Sequence, residues 1–310
     1  MATSSKYLIP EVIARLRGLD LRARRVVAGV LSGLHRSIYR GQSVEFAEHR
    51  AYVAGDDIRH VDWRLFGRKD RLFIKQYEEE TNLRCNLLLD VSRSMAYGSG
   101  ALTKFEYGAC LAASLAYLLV EQHDAVGLIT FDHDVRHKLP SATGRGQLND
   151  LVQLLDNSAP NGKTDVKILL HRLAEELRKR SLVILISDLL ADPDQVVAGL
   201  EHICHSGHEL VVLHVLDDHE WNFPFVEHVM FEGLEDEHQL LTDPQALRAS
   251  YLAAVQRFVA RVRGVCLKLR ADYVPVNTRD PVDAVLCGYL SRRSGSAPRG
   301  AASRPRGAGG

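Results

Sequence analysis

The sequence has few cysteines, methionines and tryptophans, and neither sign of charge is in excess. Its 310 residues include 5 cysteines, 3 methionines and 2 tryptophans, and 39 basic residues balance 39 acidic ones. An odd number of scattered cysteines argues against a disulfide framework and against a zinc knuckle. It is typical of buried, reduced thiols, so we expect a cytoplasmic protein.

Long apolar runs are also missing. The longest mostly apolar run, residues 109–120, has twelve residues, whereas a membrane-spanning helix needs about 20. The first 20 residues carry charges within their only apolar stretch and do not resemble a signal peptide. The sequence therefore predicts no membrane span.

The remaining composition is that of an ordinary globular chain, with 46% hydrophobic and 25% charged residues. The charge is unevenly placed, because residues 1–43 carry eight basic against two acidic side chains and residues 291–310 carry five against none. Basic ends can attract nucleic acid. The N-terminal basic residues interleave with apolar ones at helical spacing, however, which favours a solvated helix face. We expect no nucleic-acid partner.

The chain divides by pattern into three segments. Residues 1–80 have the pattern of a helical and connector segment, residues 81–293 alternate short apolar strands with helices, and residues 294–310 lack apolar mass and are expected to be disordered. Strands that alternate with helices over about 200 residues predict the α/β class with a doubly wound, mostly parallel sheet. The strands are predicted to end near Asp90 and Asp188 and to cover 125–131, 209–217 and about 271–276.

Local signals predict where helices begin. Thr103 and Glu106 can satisfy each other's amides in a capping box, which opens a helix through about residue 122. Three Asp-Pro pairs combine an N-cap carboxylate with a proline at the first helical position; they are Asp192-Pro193, Asp243-Pro244 and Asp280-Pro281. Further helices are predicted over 146–156 and 165–180, an edge hairpin after residue 131, and a small hairpin within 218–242.

Oxygen-bearing side chains follow the ends of two predicted strands. Asp90, Ser92 and Ser94 leave the first strand, Asp188 ends the third, and Thr164 lies in a loop that opens a helix. The carboxyl ends of parallel strands meet at one edge of a sheet, so we expect these five side chains to converge. Carboxylates and hydroxyls suit a hard cation such as Mg²⁺ or Mn²⁺. With few carboxylates the ion stays electrophilic, so that a carboxylate of another molecule can complete its coordination.

The order Asp90-x-Ser92-x-Ser94, then Thr164, then Asp188 resembles the metal-ion-dependent adhesion site of von Willebrand factor A domains. The resemblance implies that these five residues are the metal ligands. Arg93 between the two serines departs from the better-known adhesive members, and its charge would either steer an acidic partner or repel the metal.

A second resemblance comes from the preceding segment. FAEHRAY at 46–52 and GDDIRHVDW at 55–63 are similar to the signature of the bacterial domain of unknown function 58 family (DUF58), and the likeness extends over about residues 30–292. It implies an A-type domain after the signature. It also implies an adaptor or assembly factor whose partner is a MoxR-type AAA+ ATPase or its client, because members are commonly associated with such ATPases.

The signature contains a charged cluster that has two interpretations. It is either a partner surface, together with Arg93, or a network of paired charges that pins the connector, with Trp63 supplying buried area. The second interpretation is favoured here. The residues concerned are Asp56, Asp57, Arg59, Asp62, Trp63 and Arg64.

Three other clusters favour structural roles. His202, Cys204, His205 and His208 lack a second ligand pair at zinc spacing and are typical of a helix C-terminus. Asp132-His133-Asp134 is typical of a polar turn rather than a catalytic triplet. Lys163 lacks the upstream glycine of a phosphate loop.

Two functions remain open. The first is a non-enzymatic protein-binding module that uses the metal to coordinate a partner carboxylate, since no general base or nucleophile accompanies Asp90. The alternative is a metal-dependent phosphoryl hydrolase that uses Asp90 as its nucleophile. Such enzymes usually place a second acid two residues later, where this sequence has Ser92.

Overall fold

A computed structural model describes residues 6–7, 9, 44–51, 63–69, 72–79, 83–160, 177, 180–226, 229–232 and 239–295. The chain forms two units, residues 30–82 and residues 1–29 with 83–310. The helix predicted over 165–180 lies almost wholly outside the described residues, as does the tail beyond residue 295.

The smaller unit contains a two-stranded antiparallel sheet and a short helix. Strand β1 (Val44–Ala51) pairs with strand β2 (Phe73–Glu79), and helix α1 (Trp63–Lys69) lies between them in the chain. The register shifts between Phe46 and Glu48, so the pairing contains a bulge or similar irregularity.

The larger unit is built on a six-stranded sheet in which five strands are parallel, and this confirms the predicted fold class. The strands are β3 (Arg84–Asp90), β4 (Ala125–Phe131), β5 (Val135–Ala142), β6 (Leu182–Ser187), β7 (Glu209–Leu216) and β10 (Asp272–Asn277). The spatial order is β10-β7-β6-β3-β4-β5, and only β5 runs antiparallel to its neighbour.

Helices and one hairpin follow these strands. A short 3₁₀ turn covers Arg93–Ala96, and a small hairpin pairs β8 (Val229–Glu232) with β9 (Gln239–Thr242), as predicted. The helices are α2 (Lys104–Glu121), α3 (Arg145–Asp156), α4 (Pro193–His205), α5 (Asp218–Asn222), α6 (Pro244–Lys268) and α7 (Val282–Gly295).

Helix starts follow the predicted signals, with one exception. The Thr103 and Glu106 capping box is present, and Asp192 and Asp243 each accept hydrogen bonds from the first amides of α4 and α6. The Asp280-Pro281 pair differs, because α7 begins at Val282, one residue later than predicted.

Helix α2 explains the apolar run of the sequence. Sixteen of its 18 residues are buried, so the run is a core helix. A Cβ at Gly108 would lie 3.0 Å from Leu89 Cδ1 and 3.2 Å from Ile186 Cγ2, so α2 packs closely over β3 and β6. The first residue of α2, Lys104, is thereby placed near the ends of these two strands.

A hydrophobic core cluster joins the sheet to α4 and α6. It contains Leu88, Val183, Leu185 and Val212 from the strands and Val196, Leu200, Ile203, Val262 and Cys266 from the helices. Near the chain start, Lys6 pairs with Glu106 and Tyr7 packs edge-on against Phe105. Within the described part of the chain, no helix is both long and apolar enough to cross a membrane.

Candidate functional site

Four of the five predicted ligands come together at the carboxyl edge of the sheet. Asp90 ends β3, Ser92 and Ser94 follow it, and Asp188 follows β6, the strand that pairs with β3. Asp90, Ser92 and Ser94 are 0% exposed and Asp188 is 3% exposed. Thr164 lies outside the described residues, so its predicted place in the site stays a prediction.

The Asp90 carboxylate is held by two hydrogen bonds. The Ser92 amide donates to Oδ1 at 2.8 Å, and the Ser187 hydroxyl donates to Oδ2 at 2.6 Å. Burial, followed by the negative charge of Asp188, raises the pKa of Asp90 to about 7. A nearby cation would stabilise the charged form of this carboxylate.

The serine pair has the spacing of neighbouring ligands around a small cation. Ser92 Oγ and Ser94 Oγ are hydrogen-bonded to each other, 3.0 Å apart. Two adjacent oxygens of an octahedron with metal–oxygen distances of about 2.1 Å lie about 3.0 Å apart. The 3₁₀ turn sets this distance, and the fully buried Met95 anchors the turn.

The chain turns sharply after Asp188. Leu189 has a φ of 53°, in the left-handed region, and its side chain is buried. Its amide donates to Ser187 Oγ at 2.9 Å, while the Leu190 amide donates to Asp188 Oδ1 at 3.0 Å. A leucine in this conformation is strained, and such strain clusters at functional sites.

A buried lysine that the sequence reasoning missed lies beside Asp188. Lys104 is 1% exposed, and its Nζ lies 2.7 Å from both Asp188 Oδ2 and Glu220 Oε1. Burial alone would lower the pKa of Lys104, but the two carboxylates raise it above its ordinary value. Burial would raise the pKa of Asp188, but the Lys104 ammonium and the hydrogen bonds from the Leu190 amide and Ser94 together lower it. The sequence feature that could have indicated this buried lysine is its position at the start of a mostly apolar helix.

Glu220 connects this ion pair to the end of β7. Its Oε2 accepts the Asp217 amide at 2.8 Å in the capping box of α5. Asp217 in turn accepts the hydroxyls of Ser99, at 2.5 Å, and Thr278, at 3.0 Å. Hydrogen bonds therefore link the loops that follow β3, β7 and β10.

His214 supports the backbone at Asp188. Its Nε2 lies 2.8 Å from the Asp188 carbonyl oxygen, and its Nδ1 lies 2.6 Å from the Tyr273 hydroxyl. Burial lowers the pKa of His214 to about 4, so the ring is neutral at pH 7. Since a carbonyl can only accept, Nε2 carries the proton and Nδ1 accepts from Tyr273.

The donor set fits a hard divalent cation. Two hydroxyls and two carboxylates suit Mg²⁺ or Mn²⁺, and Lys104 takes up one oxygen of Asp188. In the part of the chain that the structure describes, no three His, Cys, Asp or Glu side chains group as a metal site. Any metal here therefore depends on the serine hydroxyls.

The structure corrects the expectation for Trp63. Its side chain is 63% exposed and packs edge-on against Phe66, with ring centroids 6.2 Å apart. The prediction that Trp63 supplies buried area is therefore wrong. Arg93 is exposed on the 3₁₀ turn. The other predicted members of the cluster, Asp56, Asp57, Arg59, Asp62 and Arg64, fall where the structure gives no side-chain description.

Two of the three remaining clusters have the predicted structural roles. Asp132 stabilises the turn before β5, where it accepts the Asp134 amide at 3.0 Å and pairs with Arg136 at 2.5 Å. Helix α4 ends at His205, and His208 beyond it contacts Ser181 through Nδ1. Lys163 lies outside the described residues.

Fold and site together define a doubly wound α/β protein with a polar cluster at its carboxyl edge. The model of the family described as "Protein of unknown function DUF58" matches residues 48–261, and the chain belongs to this family.

Relatives span nearly the whole chain. The uncharacterized proteins Rv1480 of Mycobacterium tuberculosis (strain ATCC 25618 / H37Rv) and Mb1516 of Mycobacterium bovis are each 27% identical to it over 299 residues, which cover 93% of this chain and 92% of theirs.

Similar solved structures include two from Bacteroides. An aerotolerance-related membrane protein of Bacteroides fragilis matches with a TM-score of 0.45 and 17% identity over 69% of this chain and 98% of its own. BatB of Bacteroides thetaiotaomicron matches with a TM-score of 0.43 and 17% identity over 69% of this chain and 100% of its own. The SpRpn10 VWA domain matches with a TM-score of 0.39 and 12% identity over 66% of this chain and 94% of its own.

Proposed function

We propose that this chain is a non-enzymatic, cytoplasmic protein-binding module that uses Mg²⁺ or Mn²⁺ to coordinate a carboxylate of a partner protein. The observation that carries the proposal is the buried serine pair, 3.0 Å apart, beside two carboxylates at neighbouring strand ends. The partner class that we propose is a MoxR-type AAA+ ATPase or its client, following the resemblance of the signature segment.

Each residue of the site would have its own role in holding a cation. Ser92 and Ser94 present neutral hydroxyls, and Asp90 presents a carboxylate that Ser187 and the Ser92 amide keep in place. Asp188 adds negative charge while one of its oxygens stays on Lys104. A divalent ion held this way would act as a Lewis acid toward an incoming carboxylate.

The hydrolase alternative gains no support from the residues around Asp90. Both carboxylate oxygens accept hydrogen bonds, and the position two residues later is the buried Ser92. The neutral His214 has both ring nitrogens engaged. Neither Ser92 nor His214 is therefore placed as the acid that protonates the leaving group in such a hydrolase.

The direct test uses the purified chain and the purified MoxR-type ATPase of the same organism. We expect their binding to require Mg²⁺, to be lost with EDTA and to be lost in Ser92→Ala. Ser250→Ala is the matched control, since Ser250 lies on the exposed face of α6. Binding that survives both EDTA and Ser92→Ala would contradict the proposal. Hydrolysis of a phosphate ester that Asp90→Asn abolishes would favour the enzyme.

A further inference from the structure

Lys104 is a cation already built into the proposed metal site. Its ammonium is 1% exposed and contacts two carboxylates at 2.7 Å, one of which is a predicted metal ligand. It also lies 5.9 Å from the centroid of the Tyr97 ring, an aromatic face that stabilises a cation. A buried ammonium with these partners is a fixed positive charge beside Asp188.

The charged side chains of this cluster determine the net charge of the site before and after a divalent ion binds. Asp90, Asp188 and Glu220 supply three negative charges when ionised, and Lys104 supplies one positive charge. The net charge of the cluster is then minus two, which one divalent cation neutralises. Without Lys104 the loaded cluster would keep one negative charge, and that charge would repel an incoming carboxylate.

The hydrogen bonds of Asp188 also indicate that Lys104 offsets negative charge in the site. Its Oδ2 is on Lys104 and its Oδ1 accepts the Leu190 amide. Both oxygens are therefore engaged within the protein. Lys104 therefore offsets the negative charge that Asp188 brings to the site.

We propose that Lys104 tunes the metal site as a built-in counter-ion: it weakens the binding of a divalent cation and keeps the loaded site neutral toward an acidic partner. This inference rests on the proposed function, since it concerns the same site. Lys104 is a positioning residue in this scheme, because it acts through Asp188 and does not contact the partner.

The test compares Mn²⁺ affinity, measured by the EPR signal of the free ion, in the wild type and three variants. We expect Lys104→Met to bind Mn²⁺ roughly tenfold more tightly and Glu220→Gln to bind it several-fold more weakly, because the two changes have opposite effects on the local charge. The double variant Lys104→Met/Glu220→Gln restores the wild-type net charge and should bind within about threefold of the wild type. Glutamine at position 220 can still accept the Asp217 amide.

A purely structural ion pair gives a different pattern. If Lys104 only held Asp188 in place, then Lys104→Met and the double variant would both bind Mn²⁺ more weakly, and that result would overturn the inference. Removing one partner of a buried ion pair is strongly destabilising. The double variant decides the question if Lys104→Met does not fold, because it leaves one carboxylate, that of Asp188, without an ammonium instead of two.

The same series separates this inference from the proposed function. If neither the wild type nor any variant binds Mn²⁺, the proposed function fails and the inference fails with it. If the wild type binds Mn²⁺ but all three variants bind it more weakly, only the inference fails.

Acetate serves as a probe of the open coordination position. Its displacement of water from bound Mn²⁺ is followed by water-proton relaxation. We expect acetate to bind the loaded wild type at least several-fold better than loaded Lys104→Met. Equal or better binding to the variant would overturn the second half of the inference.

Discussion

Asp90 and Asp188 lie at the same edge of the sheet, but their surroundings set their charges differently. Asp90 is held by a hydroxyl and an amide, and burial raises its pKa to about 7. Asp188 is paired with Lys104, which lowers its pKa. Two aspartates that look equivalent in the sequence therefore differ because of a lysine on a separate helix.

A third buried aspartate gives a prediction for pH-dependent stability. Burial raises the pKa of Asp124 to about 7, against an ordinary value of 3.8, and its Oδ1 accepts the Leu83 amide at 3.1 Å. The folded state therefore holds this proton more tightly than the unfolded state, so its contribution to stability is lost as pH rises from about 4 to about 7.

Asp124→Asn keeps the acceptor and removes the charge. We expect the variant to be more stable than the wild type at pH 8, by on the order of 2 kcal/mol, and the advantage to vanish near pH 4. Urea unfolding at both pH values measures this difference, and Asp150→Asn on the exposed side of α3 is the control. An advantage that is equal at both pH values would contradict the assignment.

At the residue scale, the sequence predicted the positions of the site residues better than their contacts. Their place after predicted strands was sufficient to put four side chains at one edge of the sheet, since the carboxyl ends of parallel strands meet there. These residues are Asp90, Ser92, Ser94 and Asp188. Lys104 and Glu220 could not be predicted, because their pairing depends on how α2 and α5 meet in space. Trp63 was expected to be buried because of its residue type, yet its side chain is exposed.

At the element scale, α2 connects the core to the site. Its capping box sets where it begins, and its small residue at Gly108 lets it approach β3 and β6 closely. Only the first of these features could be predicted from the local sequence. The box has a recognisable spacing, whereas the need for a glycine at 108 appears only when the opposing Leu89 and Ile186 are known.

Helix α2 also gives a packing prediction. A valine at position 108 would press against the Leu89 and Ile186 side chains, and overpacking of this kind costs about 1–3 kcal/mol. Gly288 on α7 has open space around an added Cβ, so Gly288→Val should change stability by less than about 0.5 kcal/mol, since the two residues differ little in helix propensity.

Urea unfolding of both valine variants measures the comparison. If Gly108→Val is as stable as Gly288→Val, the close approach of α2 to the sheet is wrong. Because Lys104 begins the same helix, we also expect Gly108→Val to change the Mn²⁺ affinity, while Gly288→Val leaves it unchanged.

The helix boundaries show how well local sequence signals predict where helices begin. Asp192 and Asp243 cap their helices as the Asp-Pro pairs predict, but at Asp280 the helix starts one residue later. Helix α5 was not predicted at all, because four of its five residues are polar and show no apolar periodicity. Its capping box of Asp217 and Glu220 was the signal that was missed.

At the scale of the whole molecule, ligand binding should stabilise the fold. A cation that binds only the folded chain raises the free energy of unfolding, by about 2.7 kcal/mol at a hundredfold excess over Kd. We expect Mg²⁺ to raise the Tm of the wild type and to leave the Tm of Ser92→Ala/Ser94→Ala unchanged. Differential scanning fluorimetry with and without EDTA measures this shift. Equal shifts in both proteins would place the bound ion elsewhere.

The sheet was predictable at this scale because periodicity and rules of connection restrict the choices. Apolar strands separated by helices imply a parallel sheet, and the polar turn at Asp132 implies an antiparallel edge strand. The details of register could not be predicted, since they depend on the side chains that face each other across neighbouring strands. Thr164 remains a predicted ligand.

The depth of the four donor side chains has a kinetic consequence. Because each is at most 3% exposed, we expect an ion to reach them only when the residues around the site move. Uptake should then saturate at the rate of this opening, however much metal is supplied. The apparent occupancy of the metal site would therefore depend on the incubation time. Titrations made within seconds would report the rate of this opening and not the equilibrium affinity for the ion.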